Sequence, residues 1–389
     1  MTGGTIQTGA SDERLAAIDT SIRADKFSAT IEAIRTGQAT AEQIAALATV
    51  LQSQTPADTN PQTSATFAAT VASLAADPEQ AARDAAIAEL TGDPGEAAGL
   101  LLALSRQDAE SAARRALQAG DLFAPFDVQR AISAYARAAD IDPADVWTWI
   151  SLSRMQQTAG DLAAARRAAE RAAQVADDER DQMVVYGTTA DIAVAEGNLP
   201  TARIAFASAL AIAERLAAKD PGNSEWQRDL SVGHNRLGDV AVAEGDLPAA
   251  RTAFAASLAI RERLAAKDPG NSQWQRDLSV SHGNLGDVAR ADGDLRAART
   301  AFAASQAIFE RLAAKDPGNS AWQRDLSFSH IKLGDVARAE GDKAEALRRY
   351  RLSESIAARL AALRPDHPGF AADLRITRRR IAELEAAAG

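Results

Sequence analysis

Three histidines, His234, His282 and His330, recur 48 residues apart. Three imidazoles in register invite a zinc reading, but the geometry of zinc opposes it. Equivalent residues in stacked helical hairpins lie about 10 Å or more apart, as interaxial spacing dictates, whereas zinc draws its nitrogens to about 2 Å from one ion. Packing is the expected role. Trp226, Trp274 and Trp322 recur at the same interval. They could form an aromatic box for a cation, with a staple between hairpins as the plainer role. Asp191, Asp239, Asp287 and Asp335 form a third series. Carboxylates are abundant, yet no Ser/His/Asp set is tied to a strand–turn–helix elbow. The glycines sit at helix ends rather than in a phosphate-cradling loop. No catalytic residue, metal ligand or cofactor is expected.

The elements that position these residues follow from one unit. Residues 220–267 return almost unchanged as 268–315, with nine differences in 48 positions, and return again from Asp316. A period of 20–50 residues signals stacked supersecondary units. Asp220-Pro221-Gly222-Asn223 is a turn. Ser224 with Gln227, Ser272 with Gln275 and Ser320 with Gln323 have capping-box spacing and predict helix starts. The first helix runs to Glu244, where Gly245 supplies a left-handed cap. Asp246 caps the second, Pro248 falls in its first turn, and it ends near Lys267. The unit is a helical hairpin with arms of about 20 residues, roughly 30 Å long.

The 389 residues hold no cysteine, carry a formal net charge of −10, and are only 5% aromatic. Strong helix formers dominate. Absent cysteine removes disulfides and thiolate chemistry. The acidic balance argues against nucleic acid, which requires clustered Lys and Arg. No segment reaches the ~18 apolar residues of a membrane span, and the N-terminus shows no signal-peptide pattern. The expected setting is cytoplasmic, without membrane insertion.

Leu237-Gly238, Ala250, Phe254 and Ser257 fall at the spacing of the tetratricopeptide consensus, and the chain resembles that family. Leu285-Gly286, Ala298, Phe302 and Ser305 repeat the match, as do Leu333-Gly334, Ala346, Tyr350 and Ser353. The family repeat is about 34 residues, so both helices here are extended. The resemblance implies an all-α, right-handed α-solenoid of stacked hairpins, a tetratricopeptide-like superhelix with an N-terminal helical region. Leu152, Ala165 and Ala172 mark an earlier repeat, and Asp191, Gly197, Ala202 and Phe206 a divergent one. Ala131, Tyr135, Ala138 and Pro143 read as the second helix of a degenerate repeat. Forwards, Phe370 stands where Trp322 would recur, and Asp373-Leu374 where Asp325-Leu326 would. Arg375, Arg378, Arg379 and Arg380 suit the solvated face of a cap.

The expected organisation is a flexible tail at 1–11, helices at 12–54 broken near Gly37, and a linker at 55–64. A short-helix region follows at 65–143, then the array at 144–364 and a capping helix at 365–389. The resemblance places the aspartate series on the concave groove, where carboxylates would attract a basic or amide-rich peptide. Arg290 and Arg338 lie three residues after Asp287 and Asp335 and can pair with them. Val194 and Val242 stand there after Asp191 and Asp239, so a charged contact is placed at those two. Asn235, Gly283 and Ile331 share another groove position. Trp147 also falls on the groove face, with core packing as its alternative. The candidate partner-binding residues are Trp147, Asp191, Asn235, Asp239, Val242, Asp287, Arg290, Asp335 and Arg338. The expected function is a non-catalytic scaffold or adaptor binding a protein, a peptide or a helix, basic where it meets the carboxylates. The alternative is a self-assembling regulatory or sensing module of a bacterial signalling or effector system, because similar bacterial arrays are often joined to effector domains.

Overall fold

The computed structural model describes residues 29–45, 69–76, 82–86, 112–364 and 368–386. The expected tail at 1–11 and linker at 55–64 lie outside the described residues. Two compact units divide the chain, residues 1–176 and 177–389. Every regular element among the described residues is helical.

In the first unit, residues 29–35 and 41–45 are helical, and between them Gly37 takes a positive φ of 71°. Helices α1 (Ala112–Phe123) and α2 (Val128–Ile141) form one hairpin, and α3 (Val146–Thr158) and α4 (Leu162–Val175) the next. Ala131, Tyr135 and Ala138 are buried along α2, and Leu152, Ala165 and Ala172 are buried in the second hairpin. The spacing identified α2. Its partner α1 carries no Leu-Gly pair and was missed.

The second unit stacks four hairpins and a final helix. The hairpins pair α5 (Glu179–Ala195) with α6 (Leu199–Lys219), α7 (Ser224–Glu244) with α8 (Leu247–Lys267), α9 (Ser272–Ala291) with α10 (Leu295–Lys315), and α11 (Ser320–Ala339) with α12 (Lys343–Leu363); α13 (Pro368–Ala386) follows. Helix ends match the reading of the sequence within a residue, but the starts are capped differently. Asn223, Asn271 and Asn319, not the following serines, accept the free amides of the first turn, at 3.1–3.2 Å from Trp226, Trp274 and Trp322 N–H. The serine is released for another task. Lys267 donates to Ser224 Oγ and to Gly222 O, and Lys315 does the same to Ser272 and Gly270. An asparagine one residue earlier already satisfies the orphan amides, so the serine hydroxyl ties the two ends of the hairpin together.

Close approach holds four of the described hairpins shut. An added Cβ on Gly238 would lie 2.5 Å from Phe254 Cε1, and on Gly286 equally close to Phe302. Gly334 faces Tyr350 in the same way, and in the first unit Gly120 faces Tyr135. Buried serines fill the next contact: Ser279 and Ser305 hydroxyls meet at 2.9 Å, Ser327 and Ser353 at 2.8 Å. Small side chains thus let helix backbones approach, while their hydroxyls satisfy one another.

The stack is then stapled between repeats at the helix starts. Arg228, Arg276 and Arg324 donate to Asp277, Asp325 and Asp373, each 49 residues on, at 2.8, 2.9 and 2.6 Å. Helix α13 accepts the last staple and buries Phe370 in the place of the recurring tryptophan. It then departs from the pattern. Ala382 replaces the glycine an aromatic would need, and Arg375 replaces the serine that would meet a second helix. α13 therefore lacks the glycine seat and the serine contact of the first helices before it.

Candidate functional site

Successive first helices of the second unit, α5, α7, α9 and α11, carry the aspartate series in register, and α13 carries Glu383 at the same position. Each aspartate looks toward one position on the next first helix, 45 residues on. Asp191 is 3.6 Å from Arg236, Asp287 pairs with Lys332, and Asp335 pairs with Arg380. These cations do a second job. Arg236 lies over the Phe206 ring at 6.0 Å, Lys332 over Phe302 at 5.3 Å, and Arg380 over Tyr350 at 6.0 Å. One side chain therefore links a carboxylate and an aromatic of the preceding hairpin to its own.

The link fails once. Opposite Asp239 the matching residue is Asn284, which donates to Asn235 Oδ1 at 2.9 Å rather than to the carboxylate. Asp239 keeps a single hydrogen bond, from Asn235 Nδ2 at 3.3 Å, and no ion pair among the described residues. Desolvation by the surrounding helices raises its carboxyl above the ordinary value, against the opposing pull of Arg236, Arg261 and Asn235. The residue is nonetheless exposed.

The pairings differ in part from those expected. Asp191, with Val194 three residues on, takes its cation from the next repeat, where Arg236 reaches it. Arg290 does approach Asp287, at 3.7 Å. Arg338 turns instead to Glu383, 3.9 Å away on α13, because Arg380 and the Tyr350 hydroxyl, 2.7 Å away, already hold Asp335. Arg380 is consequently a half-buried clamp and not part of a solvated cap face. Ile331 is buried, so the position it shares with Asn235 and Gly283 is not open along the whole stack. Trp147 lies in the first unit at 38% exposure; the other eight candidates lie on first helices of the second.

The same face carries apolar groups. Val280, Phe328 and Ile376 share one register position and are exposed, and Val194 and Val242 share another at 43% and 45% exposure. Arg290, Leu295, Asp335, Arg338, Ala339 and Arg380 line an open cleft of about 520 Å³. Charge is divided along the face. Near Asp239 stand Arg236, which pairs with Asp191, and Arg261, which is buried and bonded elsewhere. Around Asp287, Asp335 and Glu383 stand Arg290, Lys332, Arg338, Arg379 and Arg380.

The histidines pack as expected. His330 is buried and His234 and His282 half-buried, and desolvation lowers all three. They do not gather; the described groups able to crowd three ligand atoms reduce to Asp177, Asp178 and Asp181 at the exposed start of α5. Trp322 packs against the Ile308, Phe309 and Leu312 cluster. Two features escaped the sequence reading. Arg261, 5% exposed, donates to Asp277 O at 2.8 Å and to Ser281 Oγ at 3.1 Å, where the next repeat has Phe309. Asp121 in the first unit is buried, accepts from Tyr135 and Thr70 hydroxyls at 2.8 Å each, and is pushed by burial up to about 6. The Gly120-Asp121 pair, fifteen residues before Tyr135, was the available signal.

No family model and no curated protein matches the chain. Among solved structures it is similar to BtubC from P. vanneervenii, at 20% identity over 60% of this chain and 89% of that one, with a TM-score of 0.49. It is also similar to PilF from Pseudomonas aeruginosa, at 15% identity over 72% and 99%, with a TM-score of 0.43. A tetratricopeptide repeat protein from Parabacteroides merdae matches at 12% identity over 80% and 99%, with a TM-score of 0.45. No helix among the described residues is long and apolar enough to cross a membrane. With glycine seated on aromatic in four of the described hairpins, and the first helices of residues 177–389 linked from repeat to repeat, each unit is built of all-α, tetratricopeptide-type hairpins.

Proposed function

We propose that the chain is a non-catalytic protein-interaction scaffold and that the first-helix face of residues 177–389 holds an extended segment of another protein. One observation carries this. Cross-repeat pairs fix the face in advance, yet it leaves Val194, Val242, Val280, Phe328 and Ile376 exposed among charged side chains. Apolar groups beside oriented charges suit a polypeptide, and a preformed face loses less ordering entropy on binding. Asp191, Asn235, Asp239, Val242, Asp287, Arg290, Asp335 and Arg338 are the proposed contacts, with Trp147 as a separate one on the first unit.

A photo-crosslinking residue placed at Phe328 or Val280 tests the reading in the source cell. The control is Ile204, which is 68% exposed on a second helix. A discrete adduct from 328 and 280, absent from 204, supports the scaffold. Equal labelling from all three sites, or none, contradicts it. An adduct of two copies of this chain favours the self-assembling module instead.

A further inference from the structure

Three neighbouring positions can supply a cation to each carboxylate of the series. They are the residue three further along the same helix, the residue 45 on in the next repeat, and the residue 45 back in the preceding one. The contacts Asp287–Arg290, Asp335–Arg380 and Glu383–Arg338 illustrate the three in turn. For Asp239 these positions hold Val242, Asn284 and Val194. Asp191, Asp287, Asp335 and Glu383 each have a cation from at least one of them. Arg236, one turn before Asp239, is already drawn to Asp191 and the Phe206 ring. Phe254, the aromatic that the missing cation would cover, has none over its ring among the described residues.

Resting on the scaffold reading above, we propose that Asp239 is a subsite for one arginine or lysine side chain of the bound segment. The incoming group takes the place that Arg236, Lys332 and Arg380 occupy in the other repeats. Its charged head meets the Asp239 carboxylate, and its methylene stem lies along Val194 and Val242, the apolar residues exposed on either side. Asn235 and Asn284, bonded to each other, hold the floor of the subsite without neutralising it. The subsite sets register, because Asp191, Asp287, Asp335 and Glu383, the other carboxylates of the series, each have a cation. The ligand class is thus a segment with a single basic residue flanked by apolar ones, and not a polybasic stretch.

The test is selection from a displayed library of random twelve-residue peptides on the full chain and on Asn284→Lys. That variant supplies the cation from within, using a residue type that position 332 already carries. It is expected to fold and to resist urea at least as well as the parent. On the parent, the enriched peptides should share one Arg or Lys beside apolar residues. A synthetic winner should bind Asn284→Lys at least about tenfold more weakly, the value of one charge-assisted contact. Enriched peptides without a basic residue, or equal affinity for both proteins, would overturn the subsite and leave the scaffold standing. No enrichment on either protein would overturn both.

Discussion

Asp239 and Asp335 stand at one register of two repeats that share most of their sequence, yet their surroundings are opposite. Asp335 accepts from the Tyr350 hydroxyl and is clamped by Arg380, which also covers the Tyr350 ring. Asp239 faces Asn284 and two valines, and has one long amide hydrogen bond. The helices, the turn and the glycine-on-aromatic seat are alike. The difference shows that this scaffold keeps its structure and its open charge in separate residues. Seating belongs to Gly238, Gly286, Gly334 and the aromatics. Whether a carboxylate is spent inside the stack or left for a partner is decided one repeat away.

The comparison can be broken at its common part first. Gly286→Ala forces a Cβ to 2.5 Å from Phe302, and overpacking of this kind costs about 2–3 kcal/mol. Gly238→Ala should cost the same, since its seat on Phe254 is the same. A lower urea midpoint in both variants checks this, and an unchanged midpoint in either would detach the seat from stability.

The clamp comes next. Asp335→Asn leaves Arg380 and the Tyr350 hydroxyl poorly paired in a partly buried place. The loss is about 2 kcal/mol, below the range for a fully buried pair because water still screens this one. Asp239→Asn should do the reverse. A carboxyl raised in the folded state weakens folding when ionised. The variant should therefore be the more stable of the two at pH 7. That advantage should shrink as pH falls through the raised folded value and vanish below the unfolded one. Denaturation of both proteins between pH 3 and pH 8 reads the sign directly. A variant less stable than its parent at pH 7 would mean that Asp239 is structural.

The smallest effect is the repair. Asn284→Lys restores the missing link and should add about 0.5 kcal/mol, as exposed pairs do, with the gain fading at high salt. Destabilisation would show that the gap is not simply a vacant cation position.

The hairpins were legible in the sequence because their determinants are local. Pro-Gly turns, Gly245 and the Leu-Gly/Phe spacing all act within one unit, and the helix limits followed from them. The aspartate series was legible too, as was the absence of an intrahelical cation for Asp239. What could not be read was the set of partners. Arg236, Lys332 and Arg380 lie 45 residues from their carboxylates, less than the 48-residue period, and only the stacking of one repeat on the next reveals that offset. The same blindness assigned Arg338 to Asp335, left Asp191 with only the absence of an intrahelical partner and put Arg380 in solvent. Ser224 was misread as a cap for a smaller reason: asparagine and serine both cap helices, and spacing alone does not choose between them.

The most direct test of the account is a double-mutant cycle on one peptide selected by the parent chain. Its lone basic residue is replaced by glutamine, and both peptides are titrated calorimetrically against the parent and against Asn284→Lys. A loss of about tenfold is expected on the parent and almost none on the variant, a coupling of about 1.4 kcal/mol. Equal losses on both proteins would place the basic residue elsewhere and contradict the account.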